Sequence, residues 1–76
     1  MKENINWLKE DCKNILKEIE LKEANIVFKI TSTDFGSKKG KLLIKNNNFI
    51  IVTKDYNFTN GIDEDIEFHF SNNSFN

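Results

Sequence analysis

Asp65, Glu67 and His69 alternate along one run of the chain, and Asp63 extends the row. On a β-strand alternate residues share a face, so these groups would stand in line. Carboxylate oxygens and an imidazole nitrogen are suitable ligands for a divalent ion. Ligands two residues apart on a strand are separated by about 6.5–7 Å, too far to close on one ion without a second element. A zinc site would also want more nitrogen or sulfur donors than one histidine and one cysteine supply. The row therefore reads as a solvated strand face, and no metal or cofactor is expected.

Catalysis fares no better. His69 is the only histidine and Cys12 the only cysteine. General acid–base work needs a positioned reacting partner and an orienting group. Cys12 falls on the apolar stripe of a helix, where a thiol is most simply a small buried hydrophobe. No serine motif of the nucleophile-elbow type occurs. The run Gly36-Ser37-Lys38-Lys39-Gly40 lacks the spacing of a phosphate-binding loop. A chain of 76 residues also has little room for an enclosing pocket. The expectation is a protein that is not an enzyme.

Charge offers a binding chemistry instead. Eleven lysines and twelve acids give a net charge of −1, with no arginine to assist them. Lys38, Lys39, Lys41 and Lys45, with Lys29 and the aromatic Phe35 nearby, form a local basic patch. Basic surfaces with aromatic neighbours bind single-stranded nucleic acid. Against that, bidentate guanidinium contacts to phosphate or guanine are not available to this chain. Asp63, Glu64, Asp65 and Glu67 make an acidic patch of similar size. Separated patches of opposite sign suit docking to a protein at least as well. No apolar run approaches the length of a membrane span or a signal-peptide core, so a cytosolic protein without a membrane partner is expected.

These side chains need elements to hold them. Ile5, Leu8, Cys12, Ile15, Leu16 and Ile19 recur three and four apart, which predicts an amphipathic helix over about residues 5–23. Asn4 or Asn6 would cap its start and Ala24-Asn25 would end it. From Asn25 the period becomes two, predicting strands at about 25–32, 41–45, 49–54 and 65–70. Asn46-Asn47-Asn48 reads as the tight turn of a hairpin, and Asn60-Gly61 as a second turn. Residues 34–40 read as a loop and 71–76 as a loose tail. The length points to one domain over 1–76. The fold class is α+β: one helix across a four-stranded antiparallel sheet, α-β-β-β-β, as a meander because consecutive strands usually neighbour each other.

One helix covers one face of a sheet. The other face should then be polar, yet Leu42-Leu43-Ile44 and Phe49-Ile50-Ile51-Val52 must place apolar side chains on both. An uncovered patch of this kind marks an interface. The competing expectation is that the segment from Asp55 to Glu64 folds back over it with Tyr56 and Phe58. Trp7 lies off the helix stripe, either folded over the sheet edge or offered as an anchor to a partner.

Small size, no catalytic set, a two-sided apolar hairpin and charged loops describe a non-enzymatic protein-binding module. The abundance of Lys, Asn, Ile and Phe, all with A/T-rich codons, points to an AT-rich genome. In size and character the chain resembles the small inhibitors encoded by phages and plasmids, anti-CRISPR proteins among them, which act on host proteins in the host cytosol. The expected apolar contacts are Trp7, Leu43, Ile50 and Val52. The expected polar contacts are Asp63, Glu64 and Glu67, meeting a basic groove. A foreign target and a homodimer both fit. The alternative is a small dimeric nucleic-acid-binding or regulatory protein using Lys38, Lys39, Lys41 and Lys45.

Overall fold

The computed structural model describes residues 5–59, 61–72 and 74–75. One helix, α1 (Asn6–Glu18), precedes five antiparallel strands: β1 (Glu23–Asp34), β2 (Ser37–Asn46), β3 (Phe49–Phe58), β4 (Ile66–Ser71) and the short β5 (Ser74–Phe75). The α+β class is therefore as the periodicity predicts, with a fifth strand where a loose tail was expected.

α1 forms from its stripe. Leu8, Cys12 and Leu16 are fully buried, with Ile5, Trp7 and Ile15 packed beside them. The helix is shorter than the stripe suggests. Glu20 takes a left-handed conformation, φ 58°, and its N–H donates to the Lys17 carbonyl while Leu21 N–H donates to Leu16. These two bonds are a Schellman cap, which satisfies the last carbonyls of the helix. Ala24-Asn25, expected to end the helix, belongs instead to β1. Asn6 is the first helical residue, and the flanking Ile5 makes no side-chain cap. Asn4 lies outside the described residues, as does Asn60 of the expected Asn60-Gly61 turn.

Two hairpins build the centre of the sheet. Asn47 and Asn48 have φ of 51° and 70°, the paired positive values of a type I′ turn, so β2 and β3 join as the asparagine run predicts. Residues 34–40 are not a loop. Only Phe35 and Gly36, φ 44° and 83°, make the turn there, and the flanking residues extend β1 and β2.

Strand order is β3-β2-β1-β4-β5 rather than a meander. The fourth strand returns to lie beside the first, the arrangement of a Greek key. The returning segment is held on the helix side of the sheet. Ile62 is fully buried, and Lys38 donates 2.8 Å to its carbonyl and pairs with Asp63. Asp65 then accepts the Ile30 N–H at 2.7 Å, continuing the ladder one position beyond Phe28↔Ile66.

The core lies between α1 and one face of the sheet. β1 contributes Ala24, Ile26 and Phe28; β2 contributes Leu42 and Ile44; β4 contributes Phe70, with Ile66 and Phe68 half-buried beside it. Gly40 belongs to this face because the Phe28 ring lies over it: a Cβ there would stand 2.4 Å from the ring tip. Trp7 packs on Phe28, Tyr56 and Phe58 with ring centroids 5.6–6.2 Å apart across the cluster. Phe75 of β5 packs on Phe68 and Phe70, with Lys9 above the Phe68 and Phe75 rings.

Candidate functional site: the uncovered face of the sheet

Pairing register assigns every strand residue to a face, because directly opposed residues project to the same side. Opposite α1 the sheet presents Val27 on β1, facing Leu43 of β2 on one side and Glu67 of β4 on the other. Leu43 in turn faces Thr53 of β3. No described helix lies against this side.

A bulge enlarges the apolar part. Register shifts between Ile44 and Lys45, so Val52 opposes Ile44 but Ile50 opposes Lys45, and Ile51 is the extra residue. The shift breaks the alternation of β3 at that point. Val52 turns to the helix side, where it packs against the core. Ile50 goes to the uncovered side with Lys45, and Ile51 joins it with the parity of Thr53. They are 55% and 49% exposed, and Phe49 at the mouth of the hairpin is 72% exposed. An intact strand would have hidden one of these isoleucines.

The expected contacts are thus redistributed. Leu43 and Ile50 lie on the uncovered face, as expected of a contact surface. Val52 does not; the bulge puts it on the other side. Trp7 is half-buried against Phe28, Tyr56 and Phe58, folded over the sheet rather than offered outward. Tyr56 and Phe58 pair with Gly40 and Lys38 and therefore face the helix, so they do not cover the second side of the sheet.

The acids separate in the same way. Asp63 pairs with Lys38 on the helix side, beside the buried Ile62. Glu64 is exposed on that same segment. Of the three expected acidic contacts only Glu67 stands on the uncovered face. Asp65 is occupied with the Ile30 amide. His69 is held at both ring nitrogens, Nδ1 by Asn25 at 2.8 Å and Nε2 by Glu23 at 3.2 Å.

Lysines share this face. Lys39, Lys41 and Lys45 alternate along β2 with Leu43 between them, and Lys29 of β1 stands directly opposite Lys41. All four are on the uncovered face. Lys38, grouped with them in the sequence, is on the other. The described ion pairs are Lys38–Asp63, Lys54–Asp11 and His69–Glu23, and none uses these four lysines. By the same register four acids share this face: Glu23 beside His69, Asp34 opposite Ser37, Asp55 opposite Lys41 and Glu67 opposite Val27. Like charges directly opposed across a sheet are destabilising, so the Lys29–Lys41 pair works against the fold.

One polar cluster escaped the sequence. Asp11 on α1 accepts from the Tyr56 hydroxyl and, at 2.9 Å, from Lys54 on β3. The Tyr56 hydrogen bond, with help from Lys54, holds the Asp11 carboxyl below its usual value against the opposing effect of burial. Burial first, then Asp11, pushes the Tyr56 phenol up. The cluster ties helix to edge strand, and Asp11 and Lys54 had no signal beyond ordinary surface polarity. Cys12 lies beneath it, its thiol pushed up to about 12 chiefly by burial. A thiol so held is a packing group and a poor nucleophile.

Among the described residues no group of three or more His, Cys, Asp or Glu converges on a possible metal position. No described helix is long and apolar enough to cross a membrane. Compared with protein-family models, curated proteins and solved structures, the chain matches none of them. What can be stated of its class is the fold: one helix on a five-stranded Greek-key sheet with its second face uncovered.

Proposed function

We propose that the protein is a non-enzymatic binding module that acts by seating the uncovered sheet face on a partner protein. The observation that carries this reading is the exposure of Ile50 and Ile51 on the same face as Leu43 and Val27. Contiguous exposed apolar surface marks interaction sites in soluble proteins. An apolar centre with a charged margin is the anatomy of a protein interface. A phage- or plasmid-encoded inhibitor of a host protein would have this character, with its action in the host cytosol. Self-association through the same face is the competing outcome.

The test compares two immobilised proteins, wild type and Ile50→Lys/Ile51→Lys, in lysate of the natural host. Circular dichroism first establishes that the variant is folded. The reading expects a protein retained by wild type and depleted at least about ten-fold on the variant, in line with loss of an interface hot spot. Equal retention of every captured protein would refute it. Capture of the chain's own second copy would convert it to self-association.

A further inference from the structure

We infer that a second copy of this chain docks head to tail, the Phe35 ring at the tip of the β1–β2 hairpin seating in the hollow behind the end of α1. This contact is separate from the uncovered face and does not depend on the reading of that face. Phe35 is 103% exposed, so no described residue gives its ring cover. It also takes φ of 44°, a conformation that asparagine and glycine adopt readily and a bulky side chain resists. The neighbouring hairpin shows the relaxed solution, with Asn47 and Asn48 at φ 51° and 70° in its turn. Phe35 therefore serves neither the core nor its own turn. An aromatic ring carries a large apolar area, and one held bare at a hairpin tip is placed to enter a cavity.

The same chain carries a cavity to receive it. The left-handed Glu20 ends α1 and turns the chain towards β1, and the Asn72 N–H, donating to the Lys22 carbonyl at 3.0 Å, closes the far side. The result is a hollow of about 510 Å³ lined by Leu16, Lys17, Glu20, Leu21, Lys22 and Asn72. Leu16 and Leu21 give it an apolar wall. A cavity of about 150 Å³ already holds a benzene ring, so there is room for a phenyl side chain. Charges of both signs find opposites: Asp34 beside the ring for Lys17 and Lys22 at the rim, and Lys39 for Glu20. None of these five takes part in a described ion pair. Ring and hollow lie at opposite ends of β1, for the hollow adjoins its start at Glu23 and Phe35 follows its end at Asp34. The 12 extended residues of β1 span about 36 Å, close to the 37 Å long axis of the molecule. A ring cannot reach the hollow of its own chain, so the contact is intermolecular and heterologous. Any pair then keeps one free ring and one free hollow, and the assembly can grow.

Sedimentation equilibrium of the whole protein from about 10 µM to about 1 mM, the range for a contact with a single anchor, tests this. The weight-average mass should rise at least about 1.5-fold over that range, without a plateau at the dimer. Phe35→Asn removes the ring and relaxes the turn, and should stay monomeric with a thermal midpoint no lower than wild type. Lys17→Glu/Lys22→Glu changes two exposed rim positions and should also stay monomeric. A mixture of the two variants combines one intact ring with one intact hollow, and should give a pair and nothing larger. A wild-type mass that stays at the monomer value would overturn the proposal. Association that survives Phe35→Asn would overturn it too, and its loss in Ile50→Lys/Ile51→Lys would then assign self-association to the uncovered face. Undiminished association of Lys17→Glu/Lys22→Glu, or a mixture that fails to pair while wild type associates, would overturn the hollow as the seat of the ring.

Discussion

The two faces of one sheet show how differently the same residue types can be used. On the helix side every apolar strand residue has a neighbour. Phe28, Leu42 and Ile44 are fully buried, and the charged groups present, Lys38, Lys54 and Asp11, are all paired. On the other side Leu43 is half-buried, Ile50 and Ile51 are about half exposed, and four lysines stand without described ion pairs. The first face has its interactions completed within the chain. The second carries apolar area, and lysines that no described ion pair uses. Val27 is the exception: it is 8% exposed on the uncovered face because its neighbours Leu43 and Glu67 flank it.

That contrast can be broken by mutation, beginning where the effect is largest. Leu42→Ala removes a core side chain between β1 and β3 and should cost about 2–5 kcal/mol. For a chain of 76 residues that is a large part of a total stability of about 4–11 kcal/mol, so the urea midpoint should fall steeply. Gly40→Ala comes next. The new methyl would drive against Phe28, whose ring is locked by Trp7, Tyr56 and Phe58, and overpacking of this kind costs about 1–3 kcal/mol. Thermal unfolding of the variant would measure it, and an unchanged midpoint would mean the ring is free to move.

Tyr56→Phe tests the polar tie between helix and edge strand, and should cost about 1–2 kcal/mol at neutral pH. Its pH dependence follows from the lowered Asp11 carboxyl. A group whose folded value lies below the unfolded one stabilises at pH above its ordinary value of 3.8 and loses that stabilisation as pH falls through the folded value. The Tyr56 hydrogen bond is the main cause of the lowering, so stability should fall less on the acid side in Tyr56→Phe than in wild type. Parallel acid profiles would contradict the assignment. The raised Tyr56 phenol has the opposite sign: its contribution holds below its ordinary value of 10.0 and is lost as pH rises through the folded value.

The smallest effect is the most telling for the uncovered side. Lys29→Glu replaces a like-charge pair opposite Lys41 with an attractive one and should stabilise the protein by a few tenths of a kcal/mol, up to about 1. A gain in stability on removing a lysine would mean that the natural residue is not there for the fold. A loss of comparable size would place Lys29 among the stabilising groups.

Much of the fold was legible in the sequence because it is written in local periodicity. The three-and-four spacing of Leu8, Cys12 and Leu16 and the alternation of Ile26, Phe28 and Ile30 each need no knowledge of distant residues. The departures all arise where a distant contact or a special dihedral decides. Helix α1 stops at Glu18 because Glu20 takes a left-handed conformation, to which glutamate gives no clue. Strand order follows from Ile62 entering the core and Asp65 reaching the Ile30 amide, contacts spanning more than thirty residues in the second case. The candidate site was half legible. Leu43 and Ile50 were expected on it. Val52 was expected with them, and the bulge at Ile51 puts it on the opposite side from Ile50. The lysine row was visible as a cluster, but which of its members share the apolar face required the register of β1, β2 and β3.

The central claim is that the apolar residues of the uncovered face serve contact and not folding. The most direct measurement is the urea unfolding free energy of Ile50→Lys/Ile51→Lys beside wild type. The account predicts agreement within about 0.5 kcal/mol, as for substitutions at ordinary surface positions. A loss approaching that of Leu42→Ala would show that these two side chains belong to the core of the fold, and the proposed contact surface would lose its foundation.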